Sequence, residues 1–344
     1  MSLYLKQQNP GSIFSFGELL IRLCPDVAGE WLAGNQLPFY IGGAELNVAN
    51  ALALWGLPAK YFTALPGNAV SAQILKYLQN KGIDTTSVHL GGDRIGLYFL
   101  TTGQDIKNDA LVYDRAGSAF AGIKTGLIDW DKILHGVNWF HFSAISPAIG
   151  QNVSDVCREG LAAAEKKGIT ISVDLNYRSK LWQYGASPRD IMPGLVNYCD
   201  LVMGNIWAAE TMLGLDVMPD IHESGQKSVY LKESQKISQN ILEKYPKCKA
   251  VANTFRFDRT NDIKYYTTLY IDNQLYQSNE YETARVTDKV GSGDCFMAGL
   301  IYGFYTNLEP QPTLEFATAA AFEKLFIRGD AITKSVEEIK RAMK

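Results

Sequence analysis

The chain has 344 residues, 47% of them hydrophobic, which suits one large α/β domain with additions or two smaller ones. Its formal net charge of −3 gives no basic field for nucleic acid or anionic lipid, so an anionic ligand must be held by local arginines and backbone N–H groups. Residues 1–10 lack an export signal, no apolar run is long enough to span a bilayer, and the five scattered cysteines include no Cys-x-x-Cys pair; the expectation is a reduced, cytoplasmic protein without structural zinc or membrane attachment.

Residues 13–40 read as strands before any convincing helix. From about residue 40, short β-rich runs alternate with helical patterns. An apolar run at 61–65 is followed by Asn68, a helix cap, then by Val70, Ile74 and Leu78 on one face and Gly82 at the end. Residues 95–115 read as two alternating strands around a polar turn at 102–108. Strand 139–143, helix 153–167 ending at Gly168, and strands 169–175 and 201–203 follow. A helical face of Ile237, Ile241, Leu242 and Tyr245 leads into strand 250–255, and a hairpin at 264–281 turns at Asp272-Asn273 and extends the sheet. Such alternation implies a mostly parallel sheet with helices on both faces. The segments that break it, about 18–40 and 94–116, are expected to form a small antiparallel lid over a single domain spanning 1–344.

Four histidines without His-Glu-x-x-His, and no Gly-x-Ser-x-Gly, leave zinc hydrolysis and serine-triad chemistry without their parts. Two glycine-rich stretches carry more. In Gly42-Gly43-Ala44-Glu45-Leu46-Asn47-Val48-Ala49 a diglycine enters a small-residue helix, and Asn47 offers donors and an acceptor for hydroxyls. In Asp288-Lys289-Val290-Gly291-Ser292-Gly293-Asp294-Cys295-Phe296 a glycine turn runs into a helix. Its unpaired first N–H groups suit an anion, and Asp294 sits at the junction as either a cap or a base.

These two stretches resemble the sugar-binding motif and the Asp-Thr-x-Gly-Ala-Gly-Asp motif of the ribokinase-like (PfkB) carbohydrate kinases, in their order and at opposite ends of the chain. The resemblance implies a ribokinase-like three-layer sandwich, with Asp294 as the general base toward a substrate hydroxyl. The backbone of Gly291, Ser292 and Gly293 becomes an anion hole for phosphoryl transfer, and ATP and Mg2+ are implied, with a monovalent cation left open. The runs Gly96-Leu97-Tyr98-Phe99, Tyr113-Asp114-Arg115-Ala116-Gly117-Ser118-Ala119, Asp174-Leu175-Asn176-Tyr177-Arg178, Ser143-Ala144-Ile145-Ser146-Pro147 and Lys324-Leu325-Phe326-Ile327-Arg328-Gly329-Asp330 are similar to its 2-keto-3-deoxygluconate kinase branch.

That branch implies a sugar acid phosphorylated at its 6-hydroxyl, held by Gly42, Gly43, Asn47, Tyr98, Tyr113, Asn176 and two arginines, Arg115 and Arg178, whose planar forks suit a carboxylate. Fructokinase or another neutral-sugar kinase is the enzymatic alternative, and an idle sugar-binding protein of the same fold the non-enzymatic one. For nucleotide, the resemblance offers Asn205, Thr254, Arg256, Gly291, Gly293, Lys324 and Gly329, and for assembly a homo-oligomer through the lid. Two departures stand out: Lys289 replaces the family threonine, and Ala208 stands where the Asn-x-x-Glu motif has glutamate, leaving the metal ligands unassigned.

Overall fold

The computed structural model describes residues 11–25, 34–101, 111–258 and 262–344, apart from the side chain of Ser224. The readings of residues 1–10 and of the turn at 102–108 fall outside these, as do 26–33 of the expected lid. In chain order the strands are β1 (Ser12–Phe16), β2 (Leu20–Leu23), β3 (Phe39–Gly42), β4 (Ala59–Phe62), β5 (Ala64–Leu65), β6 (His89–Leu90), β7 (Gly96–Phe99) and β8 (Val112–Asp114). Then come β9 (Val137–Ser143), β10 (Thr170–Asp174), β11 (Leu201–Gly204), β12 (Ala250–Asp258), β13 (Ile263–Ile271), β14 (Gln274–Gln277) and β15 (Tyr281–Thr283).

The large sheet runs β14-β13-β12-β11-β10-β9-β1-β4, parallel from β12 to β4 and antiparallel at the β13–β14 hairpin. Asp272 and Asn273 supply that hairpin's turn at φ 50° and 61°, a conformation short polar side chains tolerate. Successive residues of a strand face opposite ways, and this sequence is apolar on both. Phe14, Phe140, Val202 and Val251 enter one core with helices Gln151–Lys166, Pro188–Val196 and Lys227–Lys244. Ile13, Trp139, Leu201 and Ala250 enter the other with helices Ala44–Leu54, Ser292–Tyr305 and Pro310–Lys324. Three layers result, as the alternation requires.

One expectation shifts in detail. Asn68 does cap helix Ala69–Asn80, its Oδ1 accepting from Ser71 N at 3.0 Å, but the buried face is Ser71, Ile74 and Leu78; Val70 lies at the edge of the stripe and is 54% exposed. β1, whose Ile13, Phe14 and Phe16 need cover on both faces, joins the large sheet between β9 and β4, ahead of the segments expected for the lid.

The smaller sheet is ordered β3-β2-β7-β8, antiparallel at its outer pairings, with β2 and β7 running parallel. Leu20, Tyr98, Leu100 and Leu111 seat it on Val290, just ahead of Gly291. Among the described residues, no helix is long and apolar enough to cross a membrane.

Candidate active site

Because β10, β11 and β12 run parallel, their carboxyl ends open on one edge of the sheet, where ligands of α/β proteins bind. A cavity of about 760 Å³ occupies that edge. The strand ends deliver Asp174, Asn176, Asn205, Thr254 and Arg256 to it, the smaller sheet contributes Tyr98 and Tyr113, and the glycine loop forms the floor with Asn47. Within the loop the two glycines serve different ends. Gly291 has φ 81°, and a Cβ there would lie 1.9 Å from the Asp330 carbonyl oxygen, so only glycine fits. Gly293 lies in the first turn of the helix, and a Cβ there would meet nothing within 4 Å; its lack of a side chain keeps cavity space open. Ser292 Oγ donates to Ala321 O at 2.9 Å, leaving that residue's backbone as its contribution to the cradle.

Asp294 accepts a 2.7 Å hydrogen bond from Asn47 Nδ2, joining the two distant motifs. Burial pushes its carboxyl up to about 7; the Asn47 bond and Arg178 pull it down, while Glu45 and Asp330 push it further up. Asp174 is likewise held well above the usual carboxylate range, first by burial and next by Asp294, against the pull of Arg178. Asn47 Oδ1 and Arg178 Nε are buried without a partner among the described residues, and Arg178 Nη1 donates to Tyr177 O at 2.9 Å. Buried polar atoms of this kind are usually satisfied, so both sites suit a polar ligand.

The two arginines expected to share a carboxylate are placed differently. Arg115 Nε and Nη2 each lie 2.6 Å from Glu18 Oε2, Ser118 Oγ donates to Glu18 Oε1 at 2.5 Å, and both charged partners are buried. Arg115 lines the cavity with Nε and Nη2 turned to Glu18, and Arg178 lines it with its Nε unpartnered.

The other candidates divide as well. Gly43, Asn176, Asn205, Thr254 and Arg256 line the cavity; Gly42, Lys324 and Gly329 do not. Gly42 instead packs on Asp330, where a Cβ would stand 2.1 Å from Oδ2. Lys324 is fully buried behind the loop with Nζ donating to Ile327 O at 3.1 Å, and Gly329 N donates to Asp288 Oδ2 at 3.2 Å. Asn205 Oδ1 caps helix Ile206–Leu213 through Ala208 N at 2.8 Å. Among the described residues no three His, Cys, Asp or Glu side chains group to hold a metal.

Several residues of the site escape a reading of the sequence. Asp174 is signalled by an aspartate closing an apolar strand. Arg22, on β2, carries no signal: its Nη1 lies 2.8 Å from Asp288 Oδ2 and 3.1 Å from Asp330 Oδ1, all three side chains being buried. Tyr98 donates its hydroxyl proton to Asp330 Oδ2, so two strands of the smaller sheet are tied to the glycine loop through buried charge. Glu45 is equally hidden, accepting from Ser143 N, Ser143 Oγ and Ser146 Oγ at 2.9, 2.7 and 3.1 Å.

Residues 11–333 match the profile of the pfkB family carbohydrate kinases. A solved structure of 2-dehydro-3-deoxygluconokinase from Thermotoga maritima superposes with a TM-score of 0.87 at 34% identity, covering 96% of this chain and 98% of that one. The 2-dehydro-3-deoxygalactonokinase of Haloferax volcanii is 25% identical over 96% of each chain. Fructokinase-1 of Oryza sativa subsp. japonica is 28% identical over 60% of this chain and 64% of its own length.

Proposed function

Since the chain belongs to the pfkB family of carbohydrate kinases, we propose that it transfers the γ-phosphate of ATP to the 6-hydroxyl of 2-keto-3-deoxygluconate. The observation that carries this reading is a buried carboxylate, Asp294, at the mouth of an anion-binding glycine loop with Arg178 beside it. Asp294, with its pKa set near neutrality, takes the hydroxyl proton as the oxygen attacks the γ-phosphorus and ADP departs. The backbone N–H groups of Gly291, Ser292 and Gly293 receive the charge that builds on the phosphoryl oxygens. Magnesium, when bound with ATP, neutralises the polyphosphate.

Arg178 supplies the preference for an acid over a neutral sugar, since its unpartnered Nε suits a carboxylate. The Haloferax relative favours a second reading within the same chemistry, the galacto epimer of the keto acid. An ADP-release assay across 2-keto-3-deoxygluconate, its galacto epimer, gluconate, fructose and ribose tests both. A keto acid should give the highest kcat/KM, and a preference for fructose or ribose would sink the substrate assignment.

A further inference from the structure

Position 289, where the resemblance places a threonine, carries a lysine whose surroundings suit a phosphate. Lys289 is the one lysine on the cavity wall among the described residues. Its backbone is anchored by the next residue, since Val290 N donates to the buried Asp288 Oδ1 at 3.2 Å, so the side chain rises from a fixed base beside the glycine loop. Its Nζ lies 3.2 Å from Asp258 Oδ2, at the end of β12, and the other oxygen of Asp258 lies 3.4 Å from Arg256 Nε. Asp258 is 40% exposed and the Lys289 side chain 19%; an ion pair this open to water is weak and exchanges readily.

A lysine ammonium is a compact charge with three donors on a flexible stem, suited to following a phosphate group as its charge moves. On the same cavity wall, Ala208 stands where the family motif has a glutamate, and the Asn205 side chain caps its helix.

Resting on the kinase reading above, we infer that Lys289 exchanges Asp258 for the β- and γ-phosphates of the bound nucleotide. Asp258 is its holding partner, keeping Lys289 at the wall in the empty site. The step makes and breaks only ionic contacts, with no proton transferred.

Calorimetric titration of the full chain with ADP and with AMP, without sugar, tests this in the wild type and in Lys289→Thr, Lys289→Arg and Asp258→Asn. Threonine is the residue the family motif carries there, so that variant should fold, and a thermal melt checks it. Lys289→Thr should weaken ADP binding by about tenfold or more while leaving AMP within about twofold, because AMP lacks the contacted phosphate. Lys289→Arg should restore most of the loss, and Asp258→Asn should tighten ADP by removing the competing carboxylate. The KM for the sugar should not move in Lys289→Thr. Unchanged ADP binding in Lys289→Thr, equal losses of ADP and AMP, or weaker ADP binding in Asp258→Asn would each overturn the inference while the kinase reading stands. A wild type that binds neither nucleotide would strike the kinase reading itself and the inference with it.

Discussion

Replacing Asp294 by asparagine separates catalysis from stability, because the two should move in opposite directions. The substitution keeps the size of the side chain and an oxygen to accept from Asn47 Nδ2, but removes basicity. If Asp294 takes the hydroxyl proton, turnover should fall by about 100-fold or more. Stability follows from the folded pKa, raised from 3.8 to about 7, mainly by burial. A carboxyl raised on folding binds more protons in the native state than in the unfolded chain between those values, so the native state loses stability as pH rises from about 4 to 7. Above pH 7 the full penalty is roughly 4 kcal/mol, an upper figure that relaxation around the site reduces. Asp294→Asn should therefore raise Tm over the wild type at pH 8 and gain little at pH 4. The same pKa predicts that wild-type kcat/KM rises with pH and levels off above about 7, as the base loses its proton. Thermal melts at the two pH values and a coupled assay across pH 5–9 suffice. Near-normal turnover in the variant removes Asp294 as the base; a Tm gain as large at pH 4 as at pH 8 refutes the burial account.

The remaining expectations probe the walls of the cavity. Arg178→Lys keeps the charge but loses the planar fork, and should raise KM for the keto acid by roughly tenfold while fructose turnover barely changes; equal losses for both refute the carboxylate role. Arg115→Ala leaves Glu18 buried and unpaired, so it should cost about 3–5 kcal/mol of stability by chemical denaturation, and a variant of unchanged stability contradicts the buried pair. Gly291→Ala should lose at least about 1–2 kcal/mol from its left-handed backbone and more by displacing the Asp330 carbonyl, whereas Gly293→Val should fold and lose thermal protection by ATP. Full ATP protection in Gly293→Val would show that the open side of the loop is not where the anion lies.

Local chemistry made much of this fold legible. Asn68 before an apolar-periodic run, Gly168 at φ 67° after a helix, and Asp272-Asn273 between alternating strands each act through the backbone beside them, so a short window suffices. The glycine loop and Asn47 were visible because their residue types are unusual where they stand, and the fold brings them within hydrogen-bonding distance. The sequence could not say that Arg115 also pairs inside the fold, because its partner Glu18 stands 97 positions away. The resemblance offered Lys324 as a nucleotide contact, yet at the end of helix Pro310–Lys324 its Nζ turns inward to the carbonyl of Ile327. Arg22 was silent for the same reason, its partners standing 266 and 308 positions away.

The tie between Arg22, Asp288, Asp330 and Tyr98 has a consequence for recombination between relatives. Strands Leu20–Leu23 and Gly96–Phe99 bring Leu20 and Tyr98 to the cavity wall and invite grafting as a cassette. They also carry one half of a buried charge balance whose other half lies at residues 288 and 330. A chimera that imports the strands without an arginine at position 22 strands two carboxylates in the interior, and one that imports the arginine into a scaffold lacking them strands a guanidinium. The unit of exchange is therefore the smaller sheet together with the segment from Asp288 to Asp330.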